Sequence, residues 1–417
     1  MERIGQNGSH GRRWELKSTG YTRVLEHALR PEISVPAVYA FFILLATISY
    51  YIPETEKFLI EPRGNFSRPK LLSYAASFIS IAVLSMSALV GRRIFIKPKL
   101  ILISVFTVAF FALYLTFEVP LIAVLAASGG FTLLLFLISK RLDDVNVTWA
   151  ALSIATIATL LILYRKGSIL TAVSREVVAI DPSRAIFHGF AVLCATFLIA
   201  FFNKKHAYIG ILFLLALSII SGFKSDAIAI IASASIAGTL LKKITLKEIF
   251  TGILAVILIL ALAGTYIAEV SYDSWNIPAA YYMFYRAGLT FAVFDRIVDI
   301  GFPLGYLHGA ALFDATQMII STSVLPDVYT SPWIITSTLI GPGMLDFGII
   351  GSLAVAFFIG TYLGMMHHLR NSPIQTCLYA IALTHTFILI EVGLQLTSIL
   401  FYFSLLYLSI SYQKPKG

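Results

Sequence analysis

Apolar runs of about 16 to 20 residues recur along nearly the whole chain, broken by short clusters that hold most of its charge, and runs of this length match the hydrocarbon core of a bilayer. That pattern leaves few folds open. Lipid offers no water to backbone N–H and C=O groups, so such a chain must satisfy them within its own helices. With 58% hydrophobic and only 13% charged residues over 417 positions, no ordinary water-soluble domain fits. The expected fold is all-α, a polytopic helical membrane protein with one integral domain over residues 35–412 and about twelve transmembrane helices. These begin near Val35, Leu71, Ile101, Leu121, Trp149, Ala185, Ala207, Ala227, Thr251, Ile349, Thr376 and Leu394.

A net charge of +9 would suit nucleic acid in a soluble protein, but here the basic residues sit between apolar runs, as the positive-inside rule requires. With the N terminus inside, inner segments hold 20 Lys and Arg and outer segments 11, which places both termini in the cytoplasm. Residues 1–34 carry Arg12, Arg13, Lys17, Arg23 and Arg30 without an apolar core or a small-residue cleavage site, so they read as a basic cytoplasmic segment rather than a signal peptide. Residues 413–417 form a cytoplasmic tail. Cys194 and Cys377 fall inside predicted helices and read as packing residues.

The inner connections are short, whereas outer connections lie at 53–70, 165–184 and 269–333, which points to an active face outside. The last is too apolar to be a free loop. Tyr285 to Ile300 and Gly309 to Val324 are helix-like and are expected to lie at the interface or dip between spans.

Four places can carry chemistry. Gly222-Phe223-Lys224-Ser225-Asp226 opens an apolar helix from Ala227 to Leu241, where Ser225 or Asp226 can cap and the free N–H groups with Lys224 suit a phosphate. A capped helix with a snorkelling lysine is the plainer reading. Arg286 follows Tyr285 and precedes Thr290, Asp295 and Arg296. On a helix the two arginines stand about 15 Å apart along the axis, so they hold different phosphate groups, or Arg286 alone is in the site and Arg296 pairs with Asp299. A structural ion pair is the alternative for Arg286. Arg165, Lys166, Arg175 and Arg184 share one outer loop with Glu176 and Asp181, where the arginine fork suits phosphate and a solvated loop is the alternative. His308 and Asp314 can move a proton near neutral pH, although a lone loop histidine is commonly structural. His385 and Glu391 lie six apart on one late helix, on opposite faces, and are weaker candidates. Asp346-Phe347-Gly348 matches the kinase magnesium tripeptide but has none of that fold's other signatures. No spacing fits a metal site, and no cofactor is expected.

Three stretches resemble the oligosaccharide repeat-unit polymerases, the O-antigen polymerase or Wzy-type family. They are Ser221 to Asp226 with Lys242-Lys243-Ile244-Thr245-Leu246-Lys247 after the next helix, Tyr285-Arg286-Ala287-Gly288-Leu289-Thr290-Phe291, and Ile335 to Gly351. The resemblance implies a polytopic glycosyltransferase of the cell membrane that polymerises polyprenyl-linked oligosaccharide, donor and acceptor alike, on the outer face and releases a polyprenyl (di)phosphate. A flippase or a chain-length protein is the kind of partner it implies. Its functional arginines carry over to Arg175 or Arg184 in one outer loop and to Arg286 in the other. Lys224 stands where an arginine is expected and loses the two-pronged geometry.

The residues expected to serve this reaction are Arg286, His308 and Asp314 in catalysis, and Arg175, Arg184, Lys224, Ser225, Asp226, Tyr285, Thr290 and Arg296 in phosphate or sugar binding. An O-antigen-type ligase would use a similar arrangement. A lipid-linked oligosaccharide flippase or secondary transporter would place its basic groups deeper in the spans, where this chain has almost none. A purely structural membrane protein is the remaining class.

Overall fold

The computed structural model describes residues 20–60, 66–116, 120–140, 145–166, 182–221, 224–263, 265, 277–314, 318–324 and 336–412, and these are mainly helical, with no strand among them. In chain order the helices are α1 (Gly20–Ala28), α2 (Pro31–Ser49), α3 (Pro53–Ile60), α4 (Leu71–Gly91), α5 (Pro98–Thr116), α6 (Leu121–Ser139), α7 (Val145–Lys166), α8 (Pro182–Phe201) and α9 (Lys204–Ser221). There follow α10 (Lys224–Leu240), α11 (Leu246–Leu258), α12 (Tyr282–Gly301), α13 (Ala310–Phe313), α14 (Met318–Val324), α15 (Gly341–His368), α16 (Pro373–Val392) and α17 (Leu396–Ser411).

Every one of the twelve expected spans coincides with a helix, but only eight helices, α2, α4 to α8, α15 and α16, are long and apolar enough to cross a bilayer by length and composition. The other four spans fall on α9, α10, α11 with its π-helical extension Ile259–Ala263, and α17. A helix of 17 residues such as α10 rises about 25 Å, short of a full hydrocarbon core of about 30 Å.

One small-residue contact and one buried helix set the frame. Gly360 and Gly364 of α15 face α4 so closely that a Cβ on either would lie 2.2 Å from the Leu84 carbonyl oxygen or 2.1 Å from that of Ala88. A glycine pair four residues apart lets two helix backbones approach where lipid supplies no hydrophobic drive. Helix α12 is the second fixed element. Its middle, from Ala287 to Val298, is almost wholly buried against α2, α4 and α15, and its Asp295 accepts hydrogen bonds from the Lys70 backbone N–H (2.8 Å) and the Ser73 hydroxyl (2.6 Å) at the start of α4.

Helix α15 is two helices joined at a break. Phe347 (φ −133°) and Gly348 (φ +63°, ψ −146°) leave helical geometry, so the crossing portion starts at Ile349, where the hydropathy places it. Such a break frees backbone groups that lipid cannot satisfy. The segment after α12 supplies partners: Tyr306 N–H donates to the Leu345 carbonyl (2.7 Å), His308 N–H to that of Asp346 (3.1 Å), and Ile349 N–H to that of Pro303 (3.2 Å).

At the opposite end of the bundle, Thr245 and Glu248 form a capping box on α11, and Glu248 also receives Lys204 Nζ (3.1 Å) and the Tyr208 hydroxyl (2.6 Å). Burial pushes the Glu248 carboxyl up, but these hydrogen bonds outweigh it and hold it at about 2. Arg92 pairs there with Glu32, and Tyr379 bonds the Leu29 carbonyl (2.7 Å).

Candidate active site

Arg286 lies on the second turn of α12 and reaches Glu391 at the end of α16. Its Nε and Nη2 both donate to Glu391 Oε1, at 3.0 and 2.5 Å, and Nη2 also lies 3.4 Å from Thr336 Oγ1. Thr336 in turn bonds Thr290 (2.8 Å), one turn along α12 from Arg286. The ion pair keeps contact with solvent, the two side chains being 28% and 34% exposed. Because one edge of the guanidinium is occupied, the Nη1 edge is left for an incoming anion among the described residues. Tyr285 meets Phe58 of α3 edge-on at 6.2 Å.

A second arginine–carboxylate group lies on the other flank of α16. Arg184 is in the first turn of α8 rather than in a loop, and Ser225 and Asp226 sit inside the first turn of α10, which begins at Lys224 and not at Ala227. The expected caps are therefore helical residues whose side chains turn to α8. Arg184 Nη2 is 3.3 Å from Ser225 Oγ and its Nε is 4.0 Å from Asp226 Oδ2. Asp226 Oδ1 lies 2.8 Å from His188 Nδ1, with the carboxylate side chain only 2% exposed. His188 then faces His385 of α16 at 6.1 Å between ring centroids. Since His385 and Glu391 are about 9 Å apart along α16 and roughly 120° apart around it, that helix presents one residue to each arginine group.

The remaining expected site residues are placed apart from these two groups. Arg296 is exposed, and Asp299, its expected partner, instead receives Lys70 Nζ at 2.5 to 2.6 Å. His308 is exposed at φ +50°, with its backbone spent on the α15 break. Asp314 accepts from Ile319 N–H at 2.8 Å in the first turn of α14. Asp346, fully buried, accepts from Ala311 N–H (2.9 Å) and Leu312 N–H (2.8 Å), so it anchors α13 to α15 and the kinase-like tripeptide has a local structural cause. Arg175 lies outside the described residues. Sequence reasoning missed His188, although its position four residues after Arg184 puts both on one helical face. Glu391, a weaker candidate from the sequence, meets a partner 105 residues away.

The family described as "Putative O-antigen polymerase" matches residues 30–403. The chain belongs to the O-antigen polymerase family. The match takes in α2 to α16 and half of α17, so both arginine groups lie within it. No curated protein and no solved structure matches the chain. For a member of this family, a multi-pass membrane protein with a polymerising role in polysaccharide biosynthesis, lipid-linked oligosaccharides are the substrates that the family implies, and arginine groups at helix ends are chemically suited to their phosphates.

Proposed function

We propose that this O-antigen polymerase joins lipid-linked oligosaccharide units at the outer face of the cell membrane, with both termini in the cytoplasm. A hydroxyl of the acceptor unit attacks the anomeric carbon of the donor's reducing-end sugar. The bond from that carbon to the carrier phosphate oxygen breaks, the polyprenyl (di)phosphate leaves with the electron pair, and the hydroxyl proton passes to a base.

One observation carries this reading: two arginine groups stand on either flank of α16 in its C-terminal half, as two phosphate-bearing substrates would need. Negative charge builds on the leaving phosphate in the transition state, and a cation already held in place stabilises it without reorganisation. Arg286 takes that role, with Glu391 fixing its fork and Thr336 and Thr290 behind it. Arg184, with Ser225 and Lys224 close in sequence, binds the acceptor's carrier phosphate. Asp226 takes the hydroxyl proton, with His188 bonded to its other oxygen. Exposed aromatics on this face, Tyr51 and Tyr306, are suited to stacking on sugar rings.

The test is polymer made in cells. Arg286→Ala is expected to leave single repeat units, and Arg184→Ala to shorten the chains. Wild-type length and yield in both variants would defeat the assignment.

A further inference from the structure

Buried polar atoms in folded proteins almost always have hydrogen-bond partners, and each exception calls for a physical reason. His385 is such an exception: both its ring nitrogens are buried and neither has a partner among the described residues. Its ring is wedged among Phe401 (4.8 Å), Tyr402 (5.4 Å) and His188 (6.1 Å). Tyr402 is already committed to Thr386 at 2.7 Å. The crevice that His385 shares with His188, Val192, Ala229, Thr384 and Phe401 is too tight to admit a water molecule, so no water supplies the missing bond.

We propose that His385 is a positioning residue for the Asp226–His188 pair, closing onto the second ring nitrogen of His188. This rests on the reading that Asp226 handles the acceptor's proton. In the tautomer in which His188 Nδ1 donates to Asp226 Oδ1, Nε2 is a lone-pair acceptor. An N–H of His385 fills it only when the two rings, 6.1 Å apart between centroids, draw about 1 Å closer. The row His385 to His188 to Asp226 then has one donor per bond, and the tautomer of His188 is fixed by the bond its far nitrogen makes. Asp226 Oδ2 is buried without a hydrogen bond of its own among the described residues and faces Arg184 Nε at 4.0 Å. The titratable and charged groups facing this row are Arg184 on α8, Asp226 on α10 and Tyr402 on α17, with Tyr362 of α15 behind Tyr402 at 4.5 Å.

His385→Phe separates this role from a structural one, because phenylalanine keeps a ring in the crevice and removes the unpartnered nitrogens. With purified protein and lipid-linked oligosaccharide, we expect His385→Phe to melt no lower than wild type. Its turnover should fall roughly tenfold, the worth of about one buried hydrogen bond in the rate, with unchanged KM and a shifted pH–rate profile. His385→Gln, which retains an N–H, should recover part of the rate. Unchanged turnover and pH profile in His385→Phe would overturn the proposal. If that variant does not fold, a wild-type pH profile in His385→Gln overturns it instead. Asp226→Asn in parallel keeps the two readings distinct: if it retains wild-type rate the proton assignment itself fails, whereas its inactivity beside a fully active His385→Phe removes His385 alone.

Discussion

Arg286 is bound by its Nε–Nη2 edge, so a lysine at this position would keep the charge but lose the fork that meets Glu391 and a phosphate together. Arg286→Lys is therefore expected to lower turnover by roughly tenfold or more, and Arg286→Ala by about 10²-fold or more, measured as initial rates with lipid-linked donor. Glu391 holds one edge of the guanidinium and offsets part of the charge that a phosphate meets at the other. Glu391→Gln should lower KM for the donor while costing no more than about 1 kcal/mol of stability, because a pair this exposed is well screened. An unchanged or higher KM would count against this charge offset. Arg286, Arg184 and Asp226 were legible in the sequence because charge at the ends of apolar runs is costly and therefore noticeable. The pairings of Arg286 with Glu391 and of Asp226 with His188 were not, since they form only through tertiary packing.

Helix α15 shows how local chemistry fixes an element. Gly348 sits at φ +63° with its Cα hydrogen side against the Pro303 carbonyl, where a Cβ would lie 1.9 Å from the oxygen. Gly348→Ala should thus cost about 1 to 3 kcal/mol from backbone conformation alone, with the steric contact adding to it, read as a lower melting temperature in detergent. Gly364→Leu should separate α15 from α4 and lower the melting temperature as well, by overpacking of about 1 to 3 kcal/mol or more, whereas Phe357→Leu, on the exposed side of the same helix, should not. The start of the crossing portion at Ile349 could be read from hydropathy, and so could the helix now seen at Tyr282–Gly301. Which of the two expected placements α12 takes, at the interface or between spans, could not, because Lys70, the partner of its Asp295 and Asp299, lies on another element.

Over the whole molecule, alternation of the helices puts Arg184, Asp226, Arg286 and the 302–314 segment at one end, and Lys204, Glu248, Arg92 and Arg370 at the other. In the proposed orientation the second end faces the cytoplasm. Both native cysteines are buried, so single engineered cysteines report topology cleanly. Leu304→Cys should react with a membrane-impermeant thiol reagent added outside intact cells and Lys205→Cys should not, and the reverse pattern would invert the orientation. The number of spans was less legible than the class: twelve helices were foreseen, but whether the short ones cross depends on neighbours that cover their ends. The most direct test of the account as a whole is polymerisation by the purified protein, given lipid-linked oligosaccharide alone, beside Arg286→Ala and Arg184→Ala. A ladder of products made by the wild type, lost in Arg286→Ala and shortened in Arg184→Ala, is the predicted result. A ladder that persists in both variants, or none from the wild type although it binds the lipid-linked unit, would contradict the account, the latter favouring transfer of finished polymer to another acceptor.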